Sequence, residues 1–201
     1  MFVGQAAFVA SGGTAYSYFS LQNDANGCMQ TDTALTLANT YSSNQHYVVS
    51  LWFKHSGLSA QFRPLFGIGN PNSDGLLVSV SAGKVIFGNN TGSGMKQANY
   101  TFNNATWYNV SLVANINGNV MEMYVNGSLL DQNPMNGYAW NNSHTLTIGS
   151  DAYSTFSGFY ADPNMTIGNL IIDNVASADY ATYISYNYDA WRSSVGINGK
   201  Y

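Results

Sequence analysis

WYNVSLVANINGNVMEMYVNG, running from Trp107 to Gly127, is the stretch whose reading decides the fold. Met121, Met123 and Val125 alternate with Glu122 and Tyr124, the period-two spacing of a half-buried strand. Asn117-Gly118 and Asn126-Gly127 bound that strand, and Asn and Gly tolerate the positive φ of tight hairpin turns. The segment therefore reads as a strand at Trp107 to Asn115, a turn, a strand at Val120 to Val125 and a second turn, with antiparallel neighbours.

Outward from there the same grammar repeats. Ser81-Ala82-Gly83 joins GLLVSV to KVIFG as another hairpin. Further strands are expected at Thr14 to Leu21, Tyr47 to His55, Arg63 to Gly69, Gly75 to Val80, Lys84 to Gly88, Lys96 to Phe102, Thr145 to Ile148 and Met165 to Asn174. Short runs of Val, Tyr, Phe, Thr and Ser separated by Gly and Asn clusters indicate an all-β sandwich or barrel. Only the end of the chain reads as helical. Ser177 suits an N-cap, Asp179 the first turn, and Tyr180, Ile184, Tyr188 and Trp191 recur at helical spacing, laying an aromatic stripe on the sandwich.

Charge narrows the function classes. Of 201 residues 8% are charged, against roughly a quarter in ordinary domains, and 45% are hydrophobic. At this length one domain with a large core is expected. Ten acids against six bases leave a net charge of −4, and no Lys or Arg precedes Lys54. Nucleic-acid binding draws its affinity from clustered cations, and there is no cluster, so nucleic acid is not an expected partner. No stretch approaches the roughly 20 apolar residues of a spanning helix, so membrane insertion is not expected. Phe2 to Ala10 is apolar but interrupted by Gly4 and Gln5 and preceded by no cation, so no classical leader is expected. Cys28 is the single cysteine, which rules out an intrachain disulfide and leaves it no evident role.

The expected organisation is an N-terminal arm at 1–13, a sandwich with its terminal helix at 14–192, and a tail at 193–201. Such arms suit attachment to a neighbouring molecule.

From about Tyr18 to Asn187 the order of segments resembles the laminin G-like branch of the concanavalin A-like lectin and glucanase superfamily. YVVSLWFK at Tyr47, PLFGIG at Pro64, the Trp107–Gly127 block, LTIGSD at Leu146 and MTIGNLIIDNVAS at Met165 carry the resemblance. It implies an all-β, two-sheet antiparallel jelly-roll sandwich with one short C-terminal helix. Fold alone does not give function.

The resemblance brings glycosidases into view. Their chemistry needs two carboxyl groups flanking the scissile bond. Glu122 is the only glutamate, its same-face neighbour is Tyr124, and positions 118 and 120 hold no acid. Of the nine aspartates, Asp74, Asp131, Asp151 and Asp162 sit in turn contexts. His46, His55 and His144 lie at strand ends, where surface or strand-edge placement is expected, and none lies in a nucleophile-elbow or protease-like setting. No catalytic residue and no enzymatic activity are expected.

Many members of the superfamily bind Ca²⁺ at the sandwich rim. The positions to weigh are Asp24 with Asn26, Asp74 near Asn70 and Asn72, and Asp151, but none has the dense acidic spacing of a calcium loop. No cofactor is expected, with Ca²⁺ held open at those positions. Sugar recognition would use aromatic faces, amides and hydroxyls. Tyr138, Trp140, Asn141, Asn142, Asp151 and Tyr153 supply these in one run and form the candidate ligand-binding surface. Tyr and Trp are equally enriched at protein contacts. Seven N-x-Ser/Thr sequons, at Asn89, Asn99, Asn104, Asn109, Asn126, Asn141 and Asn164, follow from the asparagine-rich composition.

An extracellular type of fold without a leader or a disulfide is reconciled by a bacteriophage virion protein, made in the host cytoplasm and displayed on the particle. The expected function is a non-catalytic virion-surface component, a capsid decoration protein or a fibre or appendage subunit. Its partners would be other virion proteins, copies of itself and host surface glycans. The alternatives are a free carbohydrate-binding lectin and, third, a glycoside hydrolase.

Overall fold

The computed structural model describes residues 29–30, 45–69, 76–88, 94–115, 118–135, 146–149, 165–176 and 180–194. The strands in chain order are β1 (Met29–Gln30), β2 (Gln45–His55), β3 (Arg63–Ile68), β4 (Leu76–Ser81), β5 (Lys84–Gly88), β6 (Met95–Asn99), β7 (Tyr108–Asn115), β8 (Val120–Val125), β9 (Ser128–Pro134), β10 (Leu146–Ile148) and β11 (Met165–Ala176). The helix α1 spans Tyr180–Ser194.

Two antiparallel sheets form, ordered β1-β10-β3-β4-β5-β6 and β11-β2-β7-β8-β9, and they pack as a jelly roll. The hairpins anticipated from Asn-Gly and Ala-Gly pairs are present. Ser81 pairs with Lys84, and Val125 with Val110 on one side and Ser128 on the other. Asn119 and Asn126 take φ of 50° and 52°, and Gly127 follows at 76°, the left-handed region these residue types enter at least cost.

The inner faces supply the core. Leu51, Phe53, Leu112, Met121 and Met123 of the second sheet meet Phe66, Ile68, Val78, Phe87 and Leu146 of the first, all within one buried cluster. An aromatic corner closes one end of it. The Phe53, Tyr108 and Tyr100 rings lie 5.1, 4.9 and 4.8 Å from Phe102. Phe102 is 5% exposed, so the chain turns it into the core, and β6 ends at Asn99 instead of continuing to Phe102.

Two strands were not foreseen. β1 has only two residues, too few for a periodic signal. β9, SLLDQNP, reads as turn chemistry by composition, yet pairs along β8 as the edge strand of its sheet. Asp131 accordingly lies after the Asn126-Gly127 hairpin, within a strand and not in a turn. It pairs with Lys96 of β6 at 3.5 Å, and Asn133 donates to the Gly94 carbonyl at 2.8 Å, so the edges of the two sheets clasp each other. A Cβ on Gly88 would sit 2.7 Å from Asn133 Nδ2, and Gly88 has φ +121°, so this clasp requires glycine there.

Two expectations about burial are corrected. β8 is not half-buried: Glu122 is 2% and Tyr124 6% exposed, because α1 covers the outer face. His46 and His55 are not at the surface but each 2% exposed, His46 edge-on to Tyr180 of the helix and His55 beside Phe53. The helix runs to Ser194, two residues past the expected boundary at 192. The expected strand at Thr14 to Leu21, the cap and first-turn residues Ser177 and Asp179, and His144 lie outside the described residues.

Candidate functional site

Tyr138, Trp140, Asn141, Asn142, Asp151 and Tyr153 all lie outside the described residues, as do Cys28 and the calcium positions Asp24, Asn26, Asn70, Asn72, Asp74 and Asp151. Among the described residues, no three His, Cys, Asp or Glu side chains gather as a metal-holding group. The residues that bear on chemistry are those of the outer face of the second sheet.

Glu122 is central to that face. Its Oε2 accepts from the Tyr124 hydroxyl at 2.7 Å. Its Oε1 faces Asn115 Nδ2 at 3.0 Å, the Tyr180 hydroxyl at 3.2 Å and Gln132 Nε2 at 3.4 Å. β7, β8, β9 and α1 each bring one donor, and the pairing of Glu122 with Gln132 and Val113 makes this convergence a matter of register. Burial, then the hydrogen bond and charge of Glu122, push the Tyr124 phenol well above its ordinary value. Burial and the same carboxylate raise Tyr180.

This arrangement buries a carboxylate among donors. A glycosidase acid or nucleophile must reach a sugar, and Glu122 is 2% exposed, with neutral donors as its hydrogen-bond partners among the described residues. Tyr124 is its same-face partner, as the period-two reading anticipated, and no second acid joins it among the described residues. The donors from Gln132 and Asn115 were not legible in sequence, because strand register brings them there.

The rest of the covered face divides in two. Val48, Val113 and Tyr124 form an apolar patch closed by Ile184. Beside it lies a buried polar pad: Asn109 Nδ2 donates to Ser50 Oγ at 2.9 Å and to the Leu51 carbonyl at 3.2 Å, and the Ser111 and Ser50 hydroxyls are 2.8 Å apart. Two sequon asparagines thereby have structural work. Asn109 is buried, and Asn126 Oδ1 accepts from the Asn109 amide at 2.9 Å. Tyr188 stacks on Trp52 at 5.4 Å and 8°, so Tyr180, Ile184 and Tyr188, three of the four residues of the anticipated stripe, face the sheet; the Trp191 side chain lies outside the described residues.

At the lower rim, Lys54 Nζ lies 5.1 Å from the centre of the half-buried Trp107 ring. The adjoining loop is held by Ala105 N to the His55 carbonyl and by Asn103 N to the Tyr108 hydroxyl. Asn103 and Asn104 are exposed beside it. This described surface combines an aromatic ring, a cation and exposed amide groups, and the sequence placed Trp107 only in a strand.

A laminin G-type model described as the Concanavalin A-like lectin/glucanases superfamily matches residues 29–165. The chain belongs to that superfamily. No curated protein matches it in sequence. Among solved structures, the binding domain of botulinum neurotoxin serotype D is similar at TM-score 0.57 and 15% identity, covering 82% of this chain and 41% of that one. The heptameric SAP-like pentraxin from Limulus polyphemus is similar at 0.55 and 18%, over 80% and 76%. The CBM40 module of Ruminococcus gnavus IT-sialidase, solved with α2,3-sialyllactose bound, is similar at 0.50 and 13%, over 77% and 92%. The chain spans about two fifths of the toxin binding domains and most of the CBM40 module. At these identities the likeness is one of fold, that of lectin-like binding domains.

Proposed function

We propose that this superfamily member is a non-catalytic binding module carried on the surface of a bacteriophage particle, as a capsid decoration protein or a fibre or appendage subunit, where its loops meet host glycans. The observation that carries the non-catalytic part is the fate of the single glutamate. Glu122 is 2% exposed and bound by four neutral donors, so the fold's usual paired-glutamate chemistry is closed to this chain.

Glycan binding is supported by the lectin-like jelly roll and by a surface that depends on Asn, Ser, Thr and Tyr for its polarity. The CBM40 module, which binds sialyllactose on a similar fold, points the same way. The particle setting rests on the sequence: an extracellular type of fold with a single cysteine and little charge. Toxin domains of similar fold are described as receptor-binding, and one was solved with rat synaptotagmin II, which supports a protein receptor as the other kind of partner.

The test has two arms. Purified chain is screened on a glycan array, with Trp140→Ala expected to abolish the strongest signal, and purified particles are analysed for the chain at fixed stoichiometry. Binding by the monomer with no particle association would establish the free-lectin reading. Hydrolysis of a β-glucan by purified chain would overturn the non-catalytic one.

A further inference from the structure

We propose that the lower rim of the second sheet, where Lys54 rests on Trp107 beside Asn103 and Asn104, is a contact for carboxylated sugars and takes them in preference to neutral ones. This rests on the glycan-binding reading above, and it adds to that reading a ligand class and residues outside the 138–153 run.

Strand register makes the pair. Phe53 of β2 and Tyr108 of β7 are partners and both belong to the core, so the next residues along, Lys54 and Trp107, fall together on the outer side. Lys54 Nζ lies over the indole, 5.1 Å from the ring centre. Both side chains are half-buried, and neither belongs to a buried cluster. Among the described residues Lys54 forms no hydrogen bond and no ion pair, so the ring face is the contact its charge has. Of the described carboxylates, Glu122 stands opposite Val113, Asp131 pairs with Lys96, and Asp189 is exposed on α1 without an ion pair to Lys54.

The loop beside the pair is pinned, yet its amides are unused. The Ala105 amide donates to the His55 carbonyl at 2.6 Å, the Asn103 amide to the Tyr108 hydroxyl at 2.8 Å, and the Thr106 hydroxyl to the Asn104 carbonyl at 3.3 Å. These bonds fix the backbone between the end of β2 and the start of β7. Ala105 holds φ of 57°, a left-handed conformation that is costly for a residue with a Cβ, and strain of this kind collects at ligand contacts. The Asn103 and Asn104 side chains are exposed and form no hydrogen bond among the described residues.

The preference follows from what a sugar must displace. A sugar packs its C–H face on an indole and pairs its hydroxyls with amides, but here a cation already occupies the indole face. A neutral sugar that moves Lys54 aside deprives the ammonium of its ring and offers no charge in return. A carboxylated sugar replaces the cation–π contact with a charge-assisted hydrogen bond, which favours the same displacement. Asn103 and Asn104 can donate to and accept from the hydroxyls of either kind, so the discrimination lies with Lys54.

The test is an array printed with uronic-acid and sialic-acid glycans, each beside the same glycan after reduction of its carboxyl to an alcohol. The full chain should bind the acidic member of a pair more strongly by about fivefold or more, and by less in about 0.5 M salt. Lys54→Gln should bring that ratio to about one, whereas Lys54→Arg, which keeps the cation, should preserve it. Trp107→Ala should lower the acidic signal, with a thermal melt as the check on folding. Should that variant fail to fold, the two Lys54 variants decide. Trp140→Ala should leave the acid preference in place. Equal binding of acidic and reduced members, or a preference that survives Lys54→Gln, would overturn this inference. A preference lost in Trp140→Ala but kept in Lys54→Gln would overturn it and leave the module reading standing, and a wild-type chain that binds no glycan would overturn both.

Discussion

The two faces of β8 are both buried, yet they are filled by different physics. On the inner face Met121 and Met123 are fully enclosed by the second sheet's partners and by the facing sheet, with no polar atom to satisfy. On the outer face Glu122 and Tyr124 are as inaccessible, but the space around them is set by hydrogen bonds from four elements and closed by a single helix. The inner face is specified by volume and the outer by donor geometry. A change of size should therefore hurt one face, and a change of chemistry at constant size the other.

The largest expected effect breaks the inner face. Met123→Ala, leaving a cavity at a fully buried site, should cost about 2–5 kcal/mol in chemical denaturation, whereas the volume-conserving Met123→Leu should cost less than about 1.5. The outer face should reverse that tolerance. Glu122→Gln keeps the shape but turns an acceptor into a donor among donors, and should cost about 1–3 kcal/mol by the same measurement. If Glu122→Gln proves as harmless as Met123→Leu, the distinction between the faces fails.

Alkali sharpens the comparison next. Tyr124 and Tyr180 are raised by burial and by Glu122, and Tyr47 of the inner face by burial. A raised phenol keeps its proton in the folded chain after the unfolded chain has lost it. Stability is therefore complete below the ordinary tyrosine range near pH 10 and falls as pH climbs through it. Absorbance titration should show a late tyrosinate fraction ionising together with unfolding, and Tyr124→Phe should make the loss of melting temperature in alkali shallower. The smallest effect belongs outside both faces. Lys96→Ala at the clasp, a partly exposed ion pair, should shift stability by within about 1 kcal/mol and less in high salt.

Most of the strand order was legible because alternation and turn chemistry are local. Val120–Val125 was placed to the residue; the turn after it uses Asn126 and Gly127 at positive φ as anticipated, whereas in the turn before it the positive φ falls on Asn119 and not on Gly118. β9 was missed because an edge strand needs no apolar face, and its Asp, Gln, Asn and Pro carry turn statistics. His46 and His55 were misplaced for the complementary reason: a polar side chain at a strand end is exposed only if nothing packs over it. Here a helix from 130 residues away packs over His46, and the aromatic corner shelters His55. The aromatic stripe of α1 was readable from its spacing, but its targets were not, since Trp52 and Glu122 are far from Tyr188 and Tyr180 in sequence.

By itself the sequence determined the all-β class, the hairpins, the single helix and the shortage of carboxylates, because each is a property of composition or of neighbours a few residues apart. Only the tertiary structure decided what the one glutamate does. Its charge means nothing until strand register and helix docking choose its surroundings, and here they surround it with hydroxyls and amides drawn from four elements.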